Sequence, residues 1–311
     1  MKAMVLAAGL GTRLRPLTYE LPKPLVPVAD RPIMELILEL LRGHGVTEIA
    51  ANLSYRPDEI REHFGDGGGH GVSIEWSFED ELLGTAGGVR NVREFFRGER
   101  FLVMAADALS DIDLGALAEA HAANDGIATL AVKPVANTRE YGVVVASDDG
   151  RVQGFQEKPD PAEALSDLAS CMIYVLEPEI FDYFPDRAEV DFALDVFPAL
   201  LENDVPFYVQ RTDAYWNDVG SLEEYRQGNF DAVSGALEVD LAGTTPAEGV
   251  LLGPGCEVGA RAELQGPVVV GGDCRIGEGS LLRDSVVLPG VIIPAATSVV
   301  GAIVAPRTNI A

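Results

Sequence analysis

The segment Leu6-Ala7-Ala8-Gly9-Leu10-Gly11-Thr12-Arg13-Leu14-Arg15-Pro16-Leu17 is glycine-containing and basic, and it is followed by Pro22-Lys23-Pro24-Leu25. The apolar run from Ala3 to Ala7 predicts a buried strand that leads into this loop. The two glycines allow positive φ and a close approach to a ligand, so successive N–H groups can line an anion site. The two arginines and Lys23 supply positive charge for such a site. The segment therefore predicts a loop that binds a phosphate-rich ligand.

The spacing excludes two commoner glycine loops. A dinucleotide-binding fingerprint needs a third glycine three residues after the second, where its helix packs tightly on the strand. Leu14 occupies that position here. A Walker-type loop needs Gly-Lys-Ser/Thr, whereas Gly11 is followed by Thr12-Arg13.

The whole string from Ala7 to Leu25 resembles the signature of the sugar-phosphate nucleotidyltransferases, also called nucleotide-sugar pyrophosphorylases. The resemblance implies that Arg13 stabilises charge on the departing phosphates and that Lys23 lies near the α-phosphate, which makes both residues catalytic. It also implies a set of nucleotide-binding residues in this segment: Leu6, Ala7, Ala8, Gly9, Gly11, Thr12, Arg13 and Lys23.

The length and composition predict a globular protein that resides in a reducing compartment. The 311 residues are 47% hydrophobic, and no run approaches the roughly 20 apolar residues of a membrane span. The first residues lead directly into the first strand and show no secretory leader, and the three cysteines have neither metal spacing nor the number of a disulfide scaffold. We therefore expect a cytoplasmic protein with no membrane partner.

The net charge of −26 argues against a nucleic-acid partner, which needs a basic face. Residues 1–31 nevertheless hold five basic and two acidic side chains, a local charge of +3. An anionic small molecule can therefore bind near this segment, and a divalent metal could offset more of its charge.

Short apolar strands alternate with helical stretches to about residue 225, which predicts an α/β domain with a Rossmann-like, mainly parallel mixed sheet. A buried helix is expected from Ile33 to Arg42 and a second apolar strand from Phe101 to Ala106. Asp107 follows that strand. Because ligands collect at the carboxyl ends of strands in open α/β sheets, the glycine loop and Asp107 should lie at one edge.

The last part of the chain has a six-residue period. The residue two places before each phased aliphatic residue is small or β-branched, and a helix is excluded by the many glycines and prolines. Such repeats are typical of a left-handed parallel β-helix with three short strands per coil and the aliphatic residues inside. The register slips by one near Pro289–Pro294. The phased aliphatic residues are Leu252, Val258, Leu264, Val270, Ile276, Leu282 and Leu288.

The repeat gives a division into a nucleotidyltransferase domain, residues 1–235, and a linker with a hexapeptide-repeat β-helix, residues 236–311. Cys256 and Cys274 lie one coil apart, and we expect two buried free thiols because stacked side chains point in parallel. An open-ended helix needs cover, so a homo-oligomer is expected.

A second glycine cluster, Leu83-Gly84-Thr85-Ala86-Gly87-Gly88, precedes a helical stretch from Val89 to Phe96. Taken alone, it predicts a helix start capped by Thr85. It also resembles a Leu-Gly-Thr-Ala-Gly element of the family whose backbone approaches the nucleobase. That resemblance adds Gly84, Thr85 and Ala86 to the nucleotide-binding residues.

Two carboxylates are candidates for a metal site. A nucleotidyl transfer needs hard oxygen ligands for Mg²⁺, usually one or two carboxylates plus substrate phosphates. The family resemblance assigns this role to Asp107, which is also taken as catalytic, and to Asp218 in Trp216-Asn217-Asp218-Val219-Gly220. Asp111 and Asp113 are instead expected to cap or flank the helix that starts at Leu114.

Tyr141-Gly142-Val143 and Glu157-Lys158-Pro159 resemble two further elements of the family. The resemblance implies that Glu157 accepts sugar hydroxyls, that Lys158 holds the phosphate of a sugar 1-phosphate and that Gly142 leaves room for the sugar ring. An adjacent Glu-Lys pair by itself is usually exposed and of little energetic value.

The resemblance implies a Mg²⁺-dependent enzyme that makes an NDP-sugar and pyrophosphate from an NTP and a sugar 1-phosphate. GTP with mannose 1-phosphate is favoured because the motifs look closest to mannose-1-phosphate guanylyltransferases. Glucose 1-phosphate with UTP or dTTP is the alternative. The chain departs from the family at two places. Ala105-Ala106 precede Asp107 where relatives commonly have an Asn-Gly-Asp-like string, and Ser170-Cys171-Met172 stand where relatives tend to show Asn-Ala-Gly or Asn-Cys-Gly. A non-catalytic nucleotide-sugar-binding paralogue is therefore a further alternative.

Overall fold

The computed structural model describes residues 1–241, 244–306 and 308. The helices, in chain order, are α1 (Leu17–Glu20), α2 (Ile33–Gly43), α3 (Pro57–Phe64), α4 (Gly84–Asn91), α5 (Arg93–Phe96), α6 (Leu114–Ala122), α7 (Phe197–Glu202) and α8 (Leu222–Ser234). Short 3₁₀ helices span Thr12–Leu14, Lys23–Leu25, Gly68–His70, Thr138–Glu140 and Pro178–Tyr183, and a π-helical turn spans Phe192–Val196.

The strands of the first two thirds of the chain are β1 (Lys2–Leu6), β2 (Pro27–Val28), β3 (Arg31–Pro32), β4 (Glu48–Leu53), β5 (Ser73–Phe78), β6 (Phe101–Ala105), β7 (Leu109–Ser110), β8 (Ala128–Pro134), β9 (Gly142–Ala146), β10 (Val152–Glu157), β11 (Leu168–Leu176), β12 (Tyr208–Arg211) and β13 (Trp216–Asn217). Those that follow are β14 (Val250–Leu252), β15 (Glu257–Val258), β16 (Glu263–Val270), β17 (Arg275–Ile276), β18 (Leu281–Val287), β19 (Ile292–Ile293), β20 (Ser298–Val300) and β21 (Ile303–Val304).

The described residues divide into two compact units. The first comprises Met1–Leu10, Ile37–Ala108 and Ile112–Trp216, and the second comprises Gly11–Leu36, Leu109–Asp111 and the described residues from Asn217 onward. The chain therefore passes from the first unit to the second within the glycine loop. The domain boundary proposed from the sequence, between residues 235 and 236, directly follows α8 and stays a prediction.

The first unit is built on one mixed sheet with the order β10-β9-β11-β6-β1-β4-β5, and β8 pairs with both β11 and β12. Strands β6, β1, β4 and β5 run parallel, and β11 joins β6 antiparallel. Every residue of β6 is buried, as expected of a parallel strand covered on both faces. The predicted α/β fold with a mixed, mainly parallel sheet is confirmed.

Aromatic rings fill the core of this unit. Phe96 stacks on Phe101 with ring centroids 3.9 Å apart, and Tyr174 meets Phe197 edge to face at 5.3 Å. All four side chains are essentially inaccessible to solvent. Offset and edge-to-face packing of this kind stabilises the sheet beyond its buried area and fixes the strands that carry the site residues.

The second unit contains the β2–β3 hairpin, α8 and parallel strands of the tail. Strands β14, β16, β18 and β20 pair in that order, as do β15, β17 and β19. Partners lie 18 residues apart at first, as in Leu264 with Leu282, and 17 residues apart later, as in Ile276 with Ile293. The structure therefore contains a slip of one residue, but not where it was predicted. Pairing shifts between Gln265 and Val268, so Val270 pairs with Val287 and not with Leu288, and the slip precedes Pro289.

The expectation that every phased aliphatic residue lies inside is wrong for Leu252 and Val258, and Leu264 is only half-buried. Leu252 is 36% exposed and Val258 42%, whereas Val270, Ile276 and Leu282 are buried. The two exposed residues belong to β14 and β15, the first strands of their stacks, which have a paired strand on one side only. A residue of an end coil loses the cover that a second neighbouring coil gives.

The cysteines of the tail are free thiols, as expected. Cys274 is buried and donates to the carbonyl of Leu288, whereas Cys256 is only half-buried and donates to the carbonyl of Gly271. Burial raises the pKa of the Cys274 thiol to about 11. No helix in the described part of the chain is both long and apolar enough to cross a bilayer.

Candidate functional site

The ends of β1 and β6 form one edge of the first unit. Leu6 pairs with Ala105 in parallel register, and the N–H of Ala106 donates to the carbonyl of Leu6 at 2.9 Å. The chain continues from these points into Ala7 and Asp107. The predicted placement of the loop start and of Asp107 at neighbouring carboxyl ends of strands is therefore correct, and Asp107 is half-buried there.

The glycine loop continues in the second unit as a tight turn. Gly11 has φ +61° and precedes the 3₁₀ helix Thr12–Leu14. The Thr18 hydroxyl donates to the Gly11 carbonyl at 2.8 Å. A Cβ atom at Gly11 would lie 3.0 Å from Thr18 and 3.1 Å from Lys23, so glycine is required both for its dihedral angle and for space.

Arg13, Lys23 and Asp218 come together in the second unit. Arg13 Nη2 lies 3.9 Å from Asp218 Oδ2, and Lys23 Nζ donates to the Asp218 backbone carbonyl at 3.4 Å. Lys23 is buried, whereas the Arg13 side chain is 57% exposed. The group therefore combines one held ammonium with one accessible guanidinium, a pair of cations suited to binding phosphate oxygens.

The second glycine cluster is held by a loop of the first unit. The N–H groups of Ala86 and Gly87 both donate to the Val190 carbonyl, at 2.9 and 3.0 Å. Gly84 has φ +75°, and a Cβ there would lie 2.4 Å from the same carbonyl oxygen. Helix α4 starts at Gly84, and its N-cap residue, Leu83, makes no side-chain cap.

Thr85 does not cap α4, so the capping interpretation is wrong. Its hydroxyl donates to Asp191 Oδ2 at 2.7 Å and accepts from the Phe192 N–H at 3.0 Å. Asp191 in turn caps the π-helical turn Phe192–Val196 by accepting from Ala193 and Leu194. Thr85 therefore ties α4 to this turn. The nucleotide-binding role of Gly84, Thr85 and Ala86 stays a prediction.

Sequence analysis missed a buried polar pair next to both glycine segments. Asn52 Oδ1 accepts from the Ala7 N–H at 2.8 Å, and Asn52 Nδ2 donates to Glu79 Oε1 at 2.7 Å. Glu79 Oε2 accepts from the Leu83 N–H at 3.1 Å. The available signal was an asparagine within the otherwise apolar run of residues 49–53, in register with Leu6.

The predicted sugar-phosphate residues lie together in the first unit. Gly142 starts β9 and pairs with Glu157, the last residue of β10. A Cβ at Gly142 would lie 3.4 Å from Glu157 Oε2, so glycine keeps the space beside that carboxylate open. Lys158 has φ +47°, and its Nζ lies 3.8 Å from Glu157 Oε1. Both charged side chains are exposed and accessible to a ligand.

The departure at Met172 is also a backbone feature. Met172 has φ +55° at a register shift between β11 and β8, a conformation that glycine adopts without strain. Its Sδ accepts from the Tyr174 hydroxyl at 3.0 Å, and the Cys171 carbonyl accepts from Trp216 Nε1 at 3.1 Å. Burial raises the pKa of the Cys171 thiol to about 12, so this thiol stays neutral.

The two predicted metal ligands belong to different units, Asp107 to the first and Asp218 to the second. Among the described residues there is no group of three or more His, Cys, Asp or Glu side chains that could hold a metal ion. Two carboxylates are nevertheless a chemically suitable protein share of a Mg²⁺ site, because Mg²⁺ takes its remaining ligands from water and substrate phosphates. The assignment stays a prediction.

Asp113 and Asp111 are the residues expected to cap or flank the helix that starts at Leu114. Asp113 is the N-cap of α6 and accepts from the Ala116 N–H at 2.9 Å, which confirms the cap. Asp111 accepts from the Glu238 N–H at 3.2 Å in the second unit.

Comparison with known proteins identifies the family. The sequence model of the family described as "Nucleotidyl transferase" matches residues 2–234. The chain belongs to the nucleotidyltransferase family. The resemblance to sugar-phosphate nucleotidyltransferases is thereby confirmed, and with it the predicted enzyme class.

Two curated relatives cover nearly the whole chain. A UTP–glucose-1-phosphate uridylyltransferase of Synechocystis is 39% identical over 94% of this chain and 80% of the relative. A mannose-1-phosphate guanylyltransferase of Mycobacterium tuberculosis is 36% identical over 94% of this chain and 81% of the relative. The names of these nucleotidyltransferases differ in both base and sugar.

Solved structures share the fold. A putative glucose-1-phosphate thymidylyltransferase from Bacillus anthracis superposes with a TM-score of 0.68 at 23% identity, over 77% of this chain and 96% of that one. HddC from Yersinia pseudotuberculosis, solved in complex with GMP-PN, gives a TM-score of 0.63 at 25% identity, over 73% of this chain and 97% of that one.

Proposed function

We propose that this nucleotidyltransferase converts GTP and mannose 1-phosphate into GDP-mannose and pyrophosphate. The observation that carries the proposal is the group of Arg13, Lys23 and Asp218 next to the turn at Gly11. A buried ammonium, an accessible guanidinium and a glycine turn together suit a triphosphate, and a neutral ligand would not need them.

The chemistry asks the protein to position two anions. An oxygen of the sugar phosphate attacks the α-phosphorus in line, the bond from that phosphorus to the bridging oxygen breaks, and pyrophosphate leaves. Arg13 stabilises the charge that grows on the departing phosphates, and Lys23 lies near the α-phosphate. Glu157 accepts hydroxyls of the sugar, Lys158 holds its phosphate, and Gly142 leaves room for the ring.

Asp107 and Asp218 would hold Mg²⁺ through carboxylate oxygens, which are the ligands this ion prefers. When bound, the ion offsets charge on the substrate phosphates. Asp107 follows a fully buried strand, so its backbone is fixed, and Asp218 is bounded by the Arg13 contact.

The choice of base and sugar rests on relatives. The Mycobacterium relative named as a mannose-1-phosphate guanylyltransferase and the HddC complex with GMP-PN support a guanine nucleotide. The Synechocystis relative named for UTP and glucose 1-phosphate supports the second candidate, a glucose-1-phosphate uridylyltransferase. We favour GTP and mannose 1-phosphate because the Leu83–Gly87 and Pro22–Val26 elements look closest to the guanylyltransferases.

The tail completes the proposal. Parallel strands that repeat at 18 and then 17 residues support a left-handed β-helix, with the aliphatic residues of the later coils inside. The exposed Leu252 and Val258 of its first strands are surface that a second subunit could cover, which supports a homo-oligomer. Light scattering of the purified chain tests this. The cytoplasmic location stays a prediction from the cysteine content.

A pyrophosphate-release assay with Mg²⁺ tests the function. GTP, UTP, dTTP and ATP are each paired with mannose 1-phosphate and glucose 1-phosphate, and the pair with the highest kcat/KM defines the substrates. Asp218→Asn and Asp107→Asn should each lose most turnover while keeping the fold. Absence of turnover with every pair, together with binding of a nucleotide sugar, would instead support the non-catalytic paralogue.

A further inference from the structure

Asn52 and Glu79 are polar side chains buried between the two glycine segments of the first unit. Asn52 is 3% exposed and Glu79 6%. Three hydrogen bonds form one chain through them, from the Ala7 N–H to Asn52, from Asn52 to Glu79 and from the Leu83 N–H to Glu79. The pair therefore joins the backbone that starts the first glycine loop to the residue that starts the second.

The direction of each bond in this chain is fixed. Two backbone N–H groups, those of Ala7 and Leu83, can only donate, so the pair must accept at both ends. Asn52 accepts with its carbonyl oxygen and therefore presents its amide N–H to Glu79. Glu79 accepts with both oxygens, one from the Asn52 amide and the other from the Leu83 N–H. With one amide and one carboxylate at these two positions, every group is paired only in the native order or when the two groups are exchanged.

Helix α4 is shaped around this pair. A Cβ atom at Gly88 would lie 2.6 Å from Asn52 Nδ2 and 2.8 Å from Glu79 Oε1. Gly88 has no unusual φ, so alanine would favour the helix if space were the only question. Glycine stands here because the buried pair occupies the space of a side chain.

We infer that Asn52 and Glu79 are positioning residues that hold the backbones at Ala7 and Leu83 in fixed relation and thereby set the affinity for the NTP. This inference rests on the proposed function, which places the nucleotide at Leu6–Ala8 and Gly84–Ala86. The role proposed for the pair is indirect. The pair acts through the backbone N–H groups that it holds, and the sugar-phosphate residues lie on other strands, β9 and β10.

An exchange of the two groups tests the inference. Asn52→Asp places two carboxylates together, and Glu79→Gln leaves one N–H facing another. Each variant should raise the KM for GTP about tenfold, which corresponds to about 1.4 kcal/mol, because a buried partner is lost. The double variant N52D/E79Q restores every pairing, since the carboxylate now at position 52 accepts from the Ala7 N–H and from the amide now at position 79, and that amide accepts from the Leu83 N–H. Its KM for GTP should return to within about threefold of wild type.

The Asn52→Asp variant adds a pH readout that packing alone would not give. Two buried carboxylates at hydrogen-bond distance raise one pKa strongly, so the pair takes up a proton as the pH falls. The shared proton restores the missing bond. Because GTP itself titrates in this range, the KM of each variant is divided by the wild-type KM at the same pH. This ratio should fall toward one for N52D on acidification from pH 8 to pH 6 and should stay constant for the N52D/E79Q double variant.

The controls separate the possible outcomes. The KM for the sugar 1-phosphate should stay constant in all variants. If a single variant does not fold, Gly88→Ala replaces it: this variant keeps both side chains, displaces them and should also raise the KM for GTP. A double variant as impaired as the worse single variant, or equal changes in both KM values, would overturn the inference. GTP binding by calorimetry gives the same comparison without turnover, and if wild type turns over UTP instead, UTP replaces GTP. Loss of all turnover in wild type would instead refute the proposed function.

Discussion

Replacing Gly220 by alanine tests the group that holds Arg13 and Asp218. A Cβ atom built on Gly220 would lie 2.6 Å from Arg13 Nη1, 2.9 Å from Asp218 Oδ2 and 3.0 Å from Glu224 Oε2. Ordinary contacts of such an atom begin at 3.4 Å, so all three side chains have to move. Because each contact involves the end of a side chain and not backbone, they can turn away without unfolding the protein.

The size of the effect follows from the geometry. Arg13 Nη2 and Asp218 Oδ2 are already 3.9 Å apart, so a further displacement of about 0.5–1 Å separates the charges beyond direct contact. A misplacement of about 1 Å at a positioning group can cost about 100-fold in rate, so we expect kcat to fall roughly 10- to 100-fold. The free energy of unfolding should change by less than about 1 kcal/mol.

Pyrophosphate release at saturating substrates measures kcat, and urea unfolding measures stability. Gly43→Ala is the matched control, since an added Cβ there meets no atom of the described residues within 4 Å. It should keep the wild-type kcat. If Gly220→Ala also keeps the wild-type kcat while folding normally, the idea that the Arg13 and Asp218 positions limit the rate is refuted.

Three further variants test other parts of the structure. Burial, aided by the nearby charge of Asp273, raises the pKa of Asp30, so its carboxylate destabilises the fold as the pH rises through that pKa. Asp30→Asn keeps an acceptor for the Gly272 N–H and should be more stable than wild type by roughly 0.5 kcal/mol at pH 7, with no difference below the ordinary pKa of 3.8, as urea unfolding at several pH values would measure. Met172→Gly should be more stable than Met172→Ala by about 1 kcal/mol in the same assay, the reverse of the usual order, because only glycine is unstrained at φ +55°. Lys158→Ala should raise the KM for the sugar 1-phosphate about tenfold in steady-state kinetics and leave the KM for the NTP unchanged, since its exposed ammonium contributes binding and not transition-state charge; an effect on the NTP alone would contradict this role.

Local patterns in the sequence were sufficient to predict much of the fold. The apolar run before the glycine loop predicted β1, and a second run ending at Asp107 predicted β6; both are parallel neighbours in the sheet. The six-residue period predicted the 18-residue pairing of the early tail strands and a slip of one residue, although the slip lies before Ser285 and not near Pro289–Pro294. These features depend on side-chain alternation and repeat length, which a single sequence displays directly.

Long-range partners could not be predicted in the same way. Asn52 and Glu79 are separated by 27 residues, and nothing in either local pattern indicates that the two side chains meet. Thr85 has the sequence context of a helix cap, but its hydroxyl donates to Asp191, which lies 106 residues later. Propensity describes what a residue does with its neighbours in sequence, and tertiary contacts override it where a better partner is available.

The second unit joins the segment after the glycine loop to residues far along the chain. The hairpin that follows Lys23 is held by α8, since Asn229 Oδ1 accepts from the Ala29 N–H at 2.9 Å. At its tip, Asp30 Oδ1 accepts from the Gly272 N–H of the tail at 2.8 Å, across 242 residues. Residues 11–36 therefore hydrogen-bond both to α8 and to the tail, and they belong to one compact unit with them. Because the hairpin follows directly on Lys23, the tail thus also supports the segment that carries Arg13 and Lys23.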